Sequence, residues 1–436
     1  MMVSYFFMLL FSYYGVSVLY YYMFIILLCL NFFFQSPNYI STNFIFDSLS
    51  FFLLFLTFIM GIYMLLSSFN YKYSMNNYSW YLITIMVLLF FICLSFLVNS
   101  FFYFYLLFEF SIIPMFFLIS GWGYSMYRFE AGMYMLMYTL ISSLPFLYYL
   151  LYFSCYSLNF IYMHLLFFNS LYMGNIWWGL FLLVFLVKLP IYFLHLWLPK
   201  AHVDAPLVGS MVLAGVLLKL GAYGILKMML LNHLDFFFIG NYLISISFIG
   251  SMLVSFLCMR QVDMKSLIAY SSIVHMGLIV LSIYSNSYLS LLGAIFMLIS
   301  HGICSSCMFY ALNIFYISFN SRSLLMMRGG LIMSPIITYW WLLISISNMG
   351  FPPFWGFISE LLIIIGSMSL NLSILIFMGM LLMFSGMYSI FFFVIFNHGK
   401  MKFINKMMSL DICNNLVFLL HFFPLMSFFI MMFYFM

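Results

Sequence analysis

The chain has 436 residues, of which 68% are hydrophobic and 5% are charged, and its formal net charge is +5. A soluble globular protein carries roughly 25% charged residues, so this chain is an all-α polytopic membrane protein whose solvent is lipid. Its apolar runs are continuous rather than alternating, which excludes a membrane β-barrel. The small positive charge gives no sign of nucleic-acid binding.

A helical span takes ~20 apolar residues, or ~30 with its connection, which leaves room for roughly fourteen spans. Apolar segments fall at 2–15, 16–34, 45–69, 79–99, 101–121, 131–153, 173–198, 206–230, 240–259, 266–284, 288–318, 331–350 continuing through a break to 370, 371–397 and 414–436. Residues 1–34 are long for one span and short for two, with Gly15 as the candidate turn. The start has no basic n-region and no small-residue cleavage site follows, so it reads as a helix rather than a targeting segment. Residues 157–169 read as an interfacial segment. A single transmembrane domain, 1–436, is expected, with no soluble domain. Phe, Tyr, Met, Ile, Leu, Ser and Asn dominate, with 40 Met. That diet follows from AT-rich codons with ATA read as Met, and points to an organelle genome.

The basic residues set the topology. Lys72, Arg128, Lys200, Arg260, Lys265, Arg322, Arg328, Lys400, Lys402 and Lys406 all fall in loops after odd-numbered segments. Loops after even segments carry almost none. The positive-inside rule places the odd loops on the cytoplasmic or matrix side and the C-terminus on the other. Glu130, Asp204, Asp235, Asp263 and Asp411 read as loop or span-end residues, and Asp47 as a helix cap.

Two segments carry prolines where a span should continue: one at Pro190 and Pro199, the other at Pro352 and Pro353. Proline removes a backbone hydrogen bond, and in lipid the freed carbonyls are tolerated only against protein or a wet cavity. Interrupted segments at matching places in two halves point to inverted-repeat transporters.

Glu109, Lys188, Lys219 and Glu360 lie inside apolar stretches, where a charge costs on the order of 3 kcal/mol or more. An acid and an amine together in hydrocarbon can share or exchange a proton, and Lys188 is the natural partner of Glu109. Lys219 lies on a segment with Gly209, Gly215, Gly221 and Gly224, which allow close approach of a neighbour. His275 and His301 fall within later segments, and imidazole relays protons near neutrality. These six form the expected proton-relay set. His195 and His202 are peripheral relay candidates that read more readily as structural. The alternative is that buried charges only fix helix register. Cys304 and Cys307 form a C-x-x-C after His301, but no second Cys/His pair lies near in sequence, so no metal or cofactor is expected there.

These residues sit in motifs. The run FLVKLPIYFLHLWLPKAHVDAP from Phe185 to Pro206 resembles the signature of the antiporter-like subunits of respiratory complex I (NADH:ubiquinone oxidoreductase). The runs GSMVLAGVLLKLG from Gly209, MRQVDMKSLIAYSS from Met259 and HGICSS from His301 are similar to the same family. These subunits also resemble those of multisubunit sodium/proton antiporters.

The resemblance implies about 14 helices with two inverted five-helix repeats, at 79–230 and 240–397, flanked by 1–69 and 414–436. It implies a proton path along the membrane midplane in a subunit of the H+-translocating NADH:ubiquinone reductase. By motif, Glu109 and Lys188 are the paired acid and base and Lys219 the central relay. His275 and His301 lie beside it, and Glu360 is the outlet, where sister subunits carry lysine. NADH, flavin, iron–sulfur clusters and ubiquinone are expected in other subunits, since this chain has no Gly-rich dinucleotide motif after a strand. The implied partners are other membrane-arm subunits, sister antiporter-like subunits among them, and membrane lipids. The implied place is the mitochondrial inner membrane, with basic loops on the matrix side and the C-terminus on the intermembrane-space side. The alternative function is a free-standing or multisubunit cation/proton antiporter.

Overall fold

The computed structural model describes residues 47–69, 77–156, 175–229, 233–399 and 412–435. The first two expected segments, the interfacial stretch at 157–169, and Lys72, Lys400, Lys402, Lys406 and Asp411 lie outside them. The helices are α1 (Ser48–Phe69), α2 (Tyr78–Leu97), α3 (Phe101–Trp122), α4 (Arg128–Tyr156), α5 (Asn175–Lys188), α6 (Trp197–Asp204), α7 (Leu207–Met229) and α8 (His233–Arg260). They continue as α9 (Met264–Tyr284), α10 (Tyr288–Phe319), the short α11 (Gly330–Met333), α12 (Pro335–Asn348), α13 (Trp355–Ser367), α14 (Ile374–Asn397) and α15 (Ile412–Phe435). Apart from α6, most of which lies in the expected loop between the seventh and eighth segments, they fall on the third to fourteenth expected segments. Among the described residues, nine helices are long and apolar enough to cross a membrane.

Many serines inside these spans are satisfied locally, as lipid requires. Ser95, Ser111, Ser210, Ser272 and Ser306 each donate a hydroxyl to the carbonyl three residues earlier, a back-bond that Ser makes readily within helices. Ser100 and Ser287 cap α3 and α10 by accepting backbone N–H groups.

The same order of neighbours occurs twice. α2 packs on α3, α3 on α4, α4 on α5 and α6, and α5 on α7. Further along, α8 packs on α9, α9 on α10, α10 on α12 and α13, and α12 on α14. α7 joins the two groups through α9 and α10, while α1 touches α2, α7, α10 and α15. The most hydrophobic stretch of α7 is fully buried and that of α14 only 28% buried, so α7 is the axis and α14 the rim.

Both expected breaks are present. α5 stops at Lys188 and α6 starts at Trp197; α12 stops at Asn348 and α13 starts at Trp355. In the first break the indole of Trp197 donates to the Val187 carbonyl at 3.0 Å, replacing helical partners lost around Pro190. Pro199 is not part of the break. It lies in the first turn of α6, where a missing N–H is an orphan in any helix. Pro114, Pro145 and Pro424 lie inside unbroken helices.

Basic loops among the described residues meet at one end. Lys265 donates to the carbonyls of Val203 (3.2 Å) and Ala205 (2.9 Å), and Arg322 to Val203 (2.8 Å). Tyr124 N–H reaches Asp204, Met264 N–H reaches Arg322, and Gly329 N–H reaches Phe396. Lys265 is thus not an exposed loop residue: it is 4% exposed, in the first turn of α9, where it satisfies carbonyls at the C-terminus of α6. Asp204 is likewise buried at the end of α6, and Glu130 stands in the first turn of α4. At the other end Asp47 does more than precede α1. Its carboxylate pairs with Lys227 of α7, tying those helices together.

Close approach of α5 to α7 depends on Gly221. A Cβ there would lie 2.9 Å from the Phe185 carbonyl oxygen and 3.0 Å from the Leu189 nitrogen, both backbone atoms that cannot yield. Gly221→Ala is expected to destabilise by roughly 1–3 kcal/mol, read as a lower melting temperature of the detergent-solubilised protein. Gly379→Ala, where nothing lies within 4 Å, is the control and should not lower it.

Candidate functional site: a buried line of ionisable groups

Six ionisable side chains expected from sequence converge on the interior. Glu109 is on α3, about midway along the helix. Its carboxyl lies in the field of Lys188 and within hydrogen-bonding reach of Ser143 on α4. Ser143 also reaches Tyr105, one turn before Glu109. Lys188, the last residue of α5, is buried, with its ammonium 4.5 Å from the Phe108 ring centroid. It therefore meets Glu109 through space and an aromatic face rather than as a direct ion pair.

From Lys188 the line crosses to α7 through Gly221, whose missing side chain leaves room for the Lys188 Cβ at 3.0 Å. Lys219 has no solvent exposure. Its Nζ donates to the Ala214 carbonyl at 2.5 Å and lies 3.0 Å from His301 Nδ1. Ala214 belongs to a π-turn, Leu213–Leu217, set into α7. Such turns interrupt the regular ladder and recur at functional sites. The π-turn was not legible in the sequence, although Gly215 at its centre allows the Met60 side chain to pack against it.

Beyond Lys219 stand two imidazoles on neighbouring helices. The His301 ring centroid on α10 is 5.5 Å from that of His275 on α9. His275 Nε2 lies 3.5 Å from the Tyr388 hydroxyl of α14, and Asn348 stands near both residues. Sequence reasoning missed Asn348, Tyr388 and Ser143. The position of Asn348, immediately before the second break, was the available signal.

The second break closes the line. Gly350 has φ +66°, in the left-handed region that glycine occupies without strain. The Glu360 carboxylate occupies the space where a Cβ of residue 350 would be, its carboxyl carbon 2.7 Å from that point. A cavity of about 10 Å³, lined by His275, Ser300, His301, Cys304, Asn348 and Glu360, has room for about one water. Cys304 Sγ also lies 3.2 Å from Ser347 Oγ at the end of α12.

The two peripheral histidines differ. His202 of α6 is fully buried and stacked on Phe309 at 4.7 Å, with both ring nitrogens lacking a protein partner. It lies within the field of both Lys265 and Lys219, between the basic end and the centre. His195 lies in the first break, stacked on Tyr192. Glu130 stays off the line. It is exposed at the edge of a 570 Å³ groove between α4 and α5 whose other walls include Tyr134, Ile141 and Leu183.

A model of the family "NADH:quinone oxidoreductase/Mrp antiporter, TM" matches residues 98–386, from just before α3 to the middle of α14. The chain belongs to this family. Among its relatives are three NADH-ubiquinone oxidoreductase chain 4 proteins, each 40% identical. That of Ceratitis capitata matches over 85% of this chain and 82% of its own length, that of Artemia franciscana over 80% and 88%, and that of Rhipicephalus sanguineus over 90% and 89%. The fold is like that of a chain in respiratory complex I from Thermus thermophilus with bound NADH, with TM-score 0.83, 20% identity and coverage of 93% of this chain and 88% of that one. It is also like a chain of the Mrp complex from Dietzia sp. DQ12-45-1b, with TM-score 0.74, 18% identity and coverage of 82% and 67%.

In this NADH:quinone oxidoreductase/Mrp antiporter member, every matched ionisable residue of the line, from Glu109 to Glu360, falls within the matched span. Gly350→Ala would put a side chain at positive φ and displace the Glu360 carboxylate. It is expected to cost about 1–3 kcal/mol from backbone strain alone, measured as a drop in melting temperature, and to lower activity further than that drop accounts for.

Proposed function

We infer that this chain is a proton-translocating membrane-arm subunit of respiratory complex I in the mitochondrial inner membrane, working in the H+-translocating NADH:ubiquinone reductase. The observation that carries this reading is the gathering of proton-bearing groups within the bundle, Glu109, Lys188, Lys219, His301, His275 and Glu360, with Lys219 Nζ 3.0 Å from His301 Nδ1 and the two imidazole centroids 5.5 Å apart.

A direct donor–acceptor contact supports the central step, Lys219 to His301; the other steps are assigned to side-chain motion and water. Lys219 as ammonium donates to His301 Nδ1; the imidazole then holds the proton and releases one from Nε2. The cavity beyond has room for a water able to carry that proton toward Glu360. At the other end Glu109, supported by Ser143, exchanges charge with Lys188, and loss of the proton on Glu109 favours the charged form of Lys188. Because five of these groups are buried and Glu109 is partly so, charge on one raises the cost of like charge on the next. A proton arriving at one end therefore biases the whole line. His202 offers a side branch to Lys219 from the basic-loop end. Moving one charge across the membrane works against ~2.3 kcal/mol per 100 mV, which NADH oxidation elsewhere in the complex supplies. NADH, flavin, iron–sulfur clusters and ubiquinone are assigned to other subunits. Among the described residues no group of three or more His, Cys, Asp or Glu could hold a metal ion.

The units 79–230 and 240–397 are proposed as the two inverted repeats, supported by the repeated order of helix neighbours. The end where Lys265 and Arg322 gather is proposed to face the matrix, supported by the positive-inside rule, which leaves the C-terminus on the intermembrane-space side. Sister antiporter-like subunits and lipids are the proposed neighbours. Blue-native electrophoresis separates this reading from a free-standing cation/proton antiporter: the chain is expected in a particle with redox subunits, and a particle of its own mass alone would overturn the assignment.

Lys219→Ala is expected to leave assembly largely intact and to abolish proton pumping coupled to quinone reduction in reconstituted vesicles. Normal pumping would show that the relay assignment is wrong. Glu109→Gln is expected to lower pumping by about tenfold or more, the scale of a lost proton-transfer group, with Glu130→Gln far milder. Equal effects of the two would count against the midplane path.

A further inference from the structure

Pro424 lies inside α15 without breaking it. It has no N–H, so the carbonyl of Leu420, one turn earlier, loses its helical donor. In a membrane such a carbonyl must find another partner. Tyr63 of α1 is that partner: its hydroxyl donates to the Leu420 carbonyl at 2.5 Å.

The next residue strengthens the same joint. His421 has no solvent exposure, and its ring stacks on that of Tyr63, with centroids 3.7 Å apart and planes at 27°. Its Nδ1 donates to the Val417 carbonyl at 2.8 Å, which fixes the ring on its own helix. Tyr310 of α10 lies on the same imidazole at 6.3 Å and donates its hydroxyl to Asn414 at 2.9 Å. Trp340 of α12 donates its indole N–H to Asn415 at 3.2 Å. Elsewhere α15 turns Leu416, Leu419 and Phe423 outward. Lipid is as apolar as these side chains, so burial between helices gives little force to hold register, and directional polar contacts must do so.

The register matters because of what lies one turn on. Leu425 lines the cavity that holds His301 and Glu360, and Phe422 meets Phe354 in the second break at 6.1 Å. The face of α15 that carries the Tyr63 joint thus also forms one wall of that cavity.

We propose that Tyr63 is a positioning residue for the relay: its hydrogen bond to the carbonyl freed by Pro424 holds α15 in the register that seals the His301–Glu360 cavity with Leu425. The inference rests on the proton-relay reading. A turn or slide of α15 would withdraw Leu425 and Phe422 together and open a side exit beside Glu360. Electron flow would continue while fewer protons were delivered.

The test uses the assembled complex in sealed vesicles and reads protons moved per electron, beside the quinone-reduction rate and the amount of assembled complex. Tyr63→Phe keeps the ring stack and removes only the donor. It is expected to lower the proton-to-electron ratio about twofold, within the range of mutations along a packed network, with quinone reduction retained. Pro424→Ala restores a backbone N–H to Leu420, is expected to be neutral alone, and should return the Tyr63→Phe ratio to that of the native protein. A contribution to stability alone would reduce the amount of complex and leave the ratio unchanged. An unchanged ratio in Tyr63→Phe, or a fall that Pro424→Ala does not reverse, overturns the proposal. If Tyr63→Phe fails to assemble, recovery of assembly and ratio in the double variant supports it, and no recovery overturns it. Lys219→Ala separates the two layers. If it leaves pumping intact, the relay reading fails; if it abolishes pumping while Tyr63→Phe is silent, only the Tyr63 inference fails.

Discussion

A primary amine with no exposure at the centre of a lipid-borne bundle is the constraint on which this structure turns. Lys219 cannot be hydrated from either membrane face, and breaking up a buried charged group's partners costs several kcal/mol. The fold meets that cost with the Ala214 carbonyl, presented by a π-turn of the same helix, and with the His301 imidazole of α10. Both partners require that α7 be surrounded. Its full burial, the approach of α10 at Gly302 to the Gly215 carbonyl, and the seat of α5 on Gly221 are consequences of holding one nitrogen.

The two helix breaks extend that arrangement in opposite directions. Each leaves backbone groups without helical partners, so each must face protein. The first ends α5 at Lys188 and turns the chain inward. The second ends α12 at Asn348 and uses the positive φ of Gly350 to bring backbone against the Glu360 carboxylate. Breaks are therefore not weaknesses tolerated beside the line. They put an amine beside Glu109 and an acid at the far end of the line, where an intact helix would present a full ring of side chains. α15 makes a third, milder use of proline, since Tyr63 of α1 takes up the freed carbonyl and the helix stays whole.

Much of the site was legible before any coordinates. Glu109, Lys188, Lys219, His275, His301 and Glu360 stand out because charge and imidazole are rare in apolar runs, and the structure brings all six to the interior. Lys265 shows the limit. By position it reads as one more loop cation, yet its amine is buried on the carbonyls of Val203 and Ala205, because α6 ends beside α9 and needs donors there. Pro199 reads as a break yet begins a helix, since proline carries the same letter in both roles. Glu109 and Lys188 pair by motif, but the Phe108 ring lies beside the ammonium. Asn348, Tyr388 and Ser143 gave weak signals because polar uncharged residues are common in these spans.

By itself, the sequence determined that the chain lives in lipid, where its described spans and breaks fall, and which charges lie inside them. Those are local properties: hydropathy, proline and glycine act on a few neighbouring residues wherever the helix later packs. Only the tertiary structure decided that Lys219 meets His301, that Gly350 faces Glu360, that Lys265 is buried, and that Tyr63 completes α15. Contacts between separate helices depend on which helix faces meet. Side-chain volumes, gaps at glycine and unsatisfied carbonyls settle those faces jointly across the bundle.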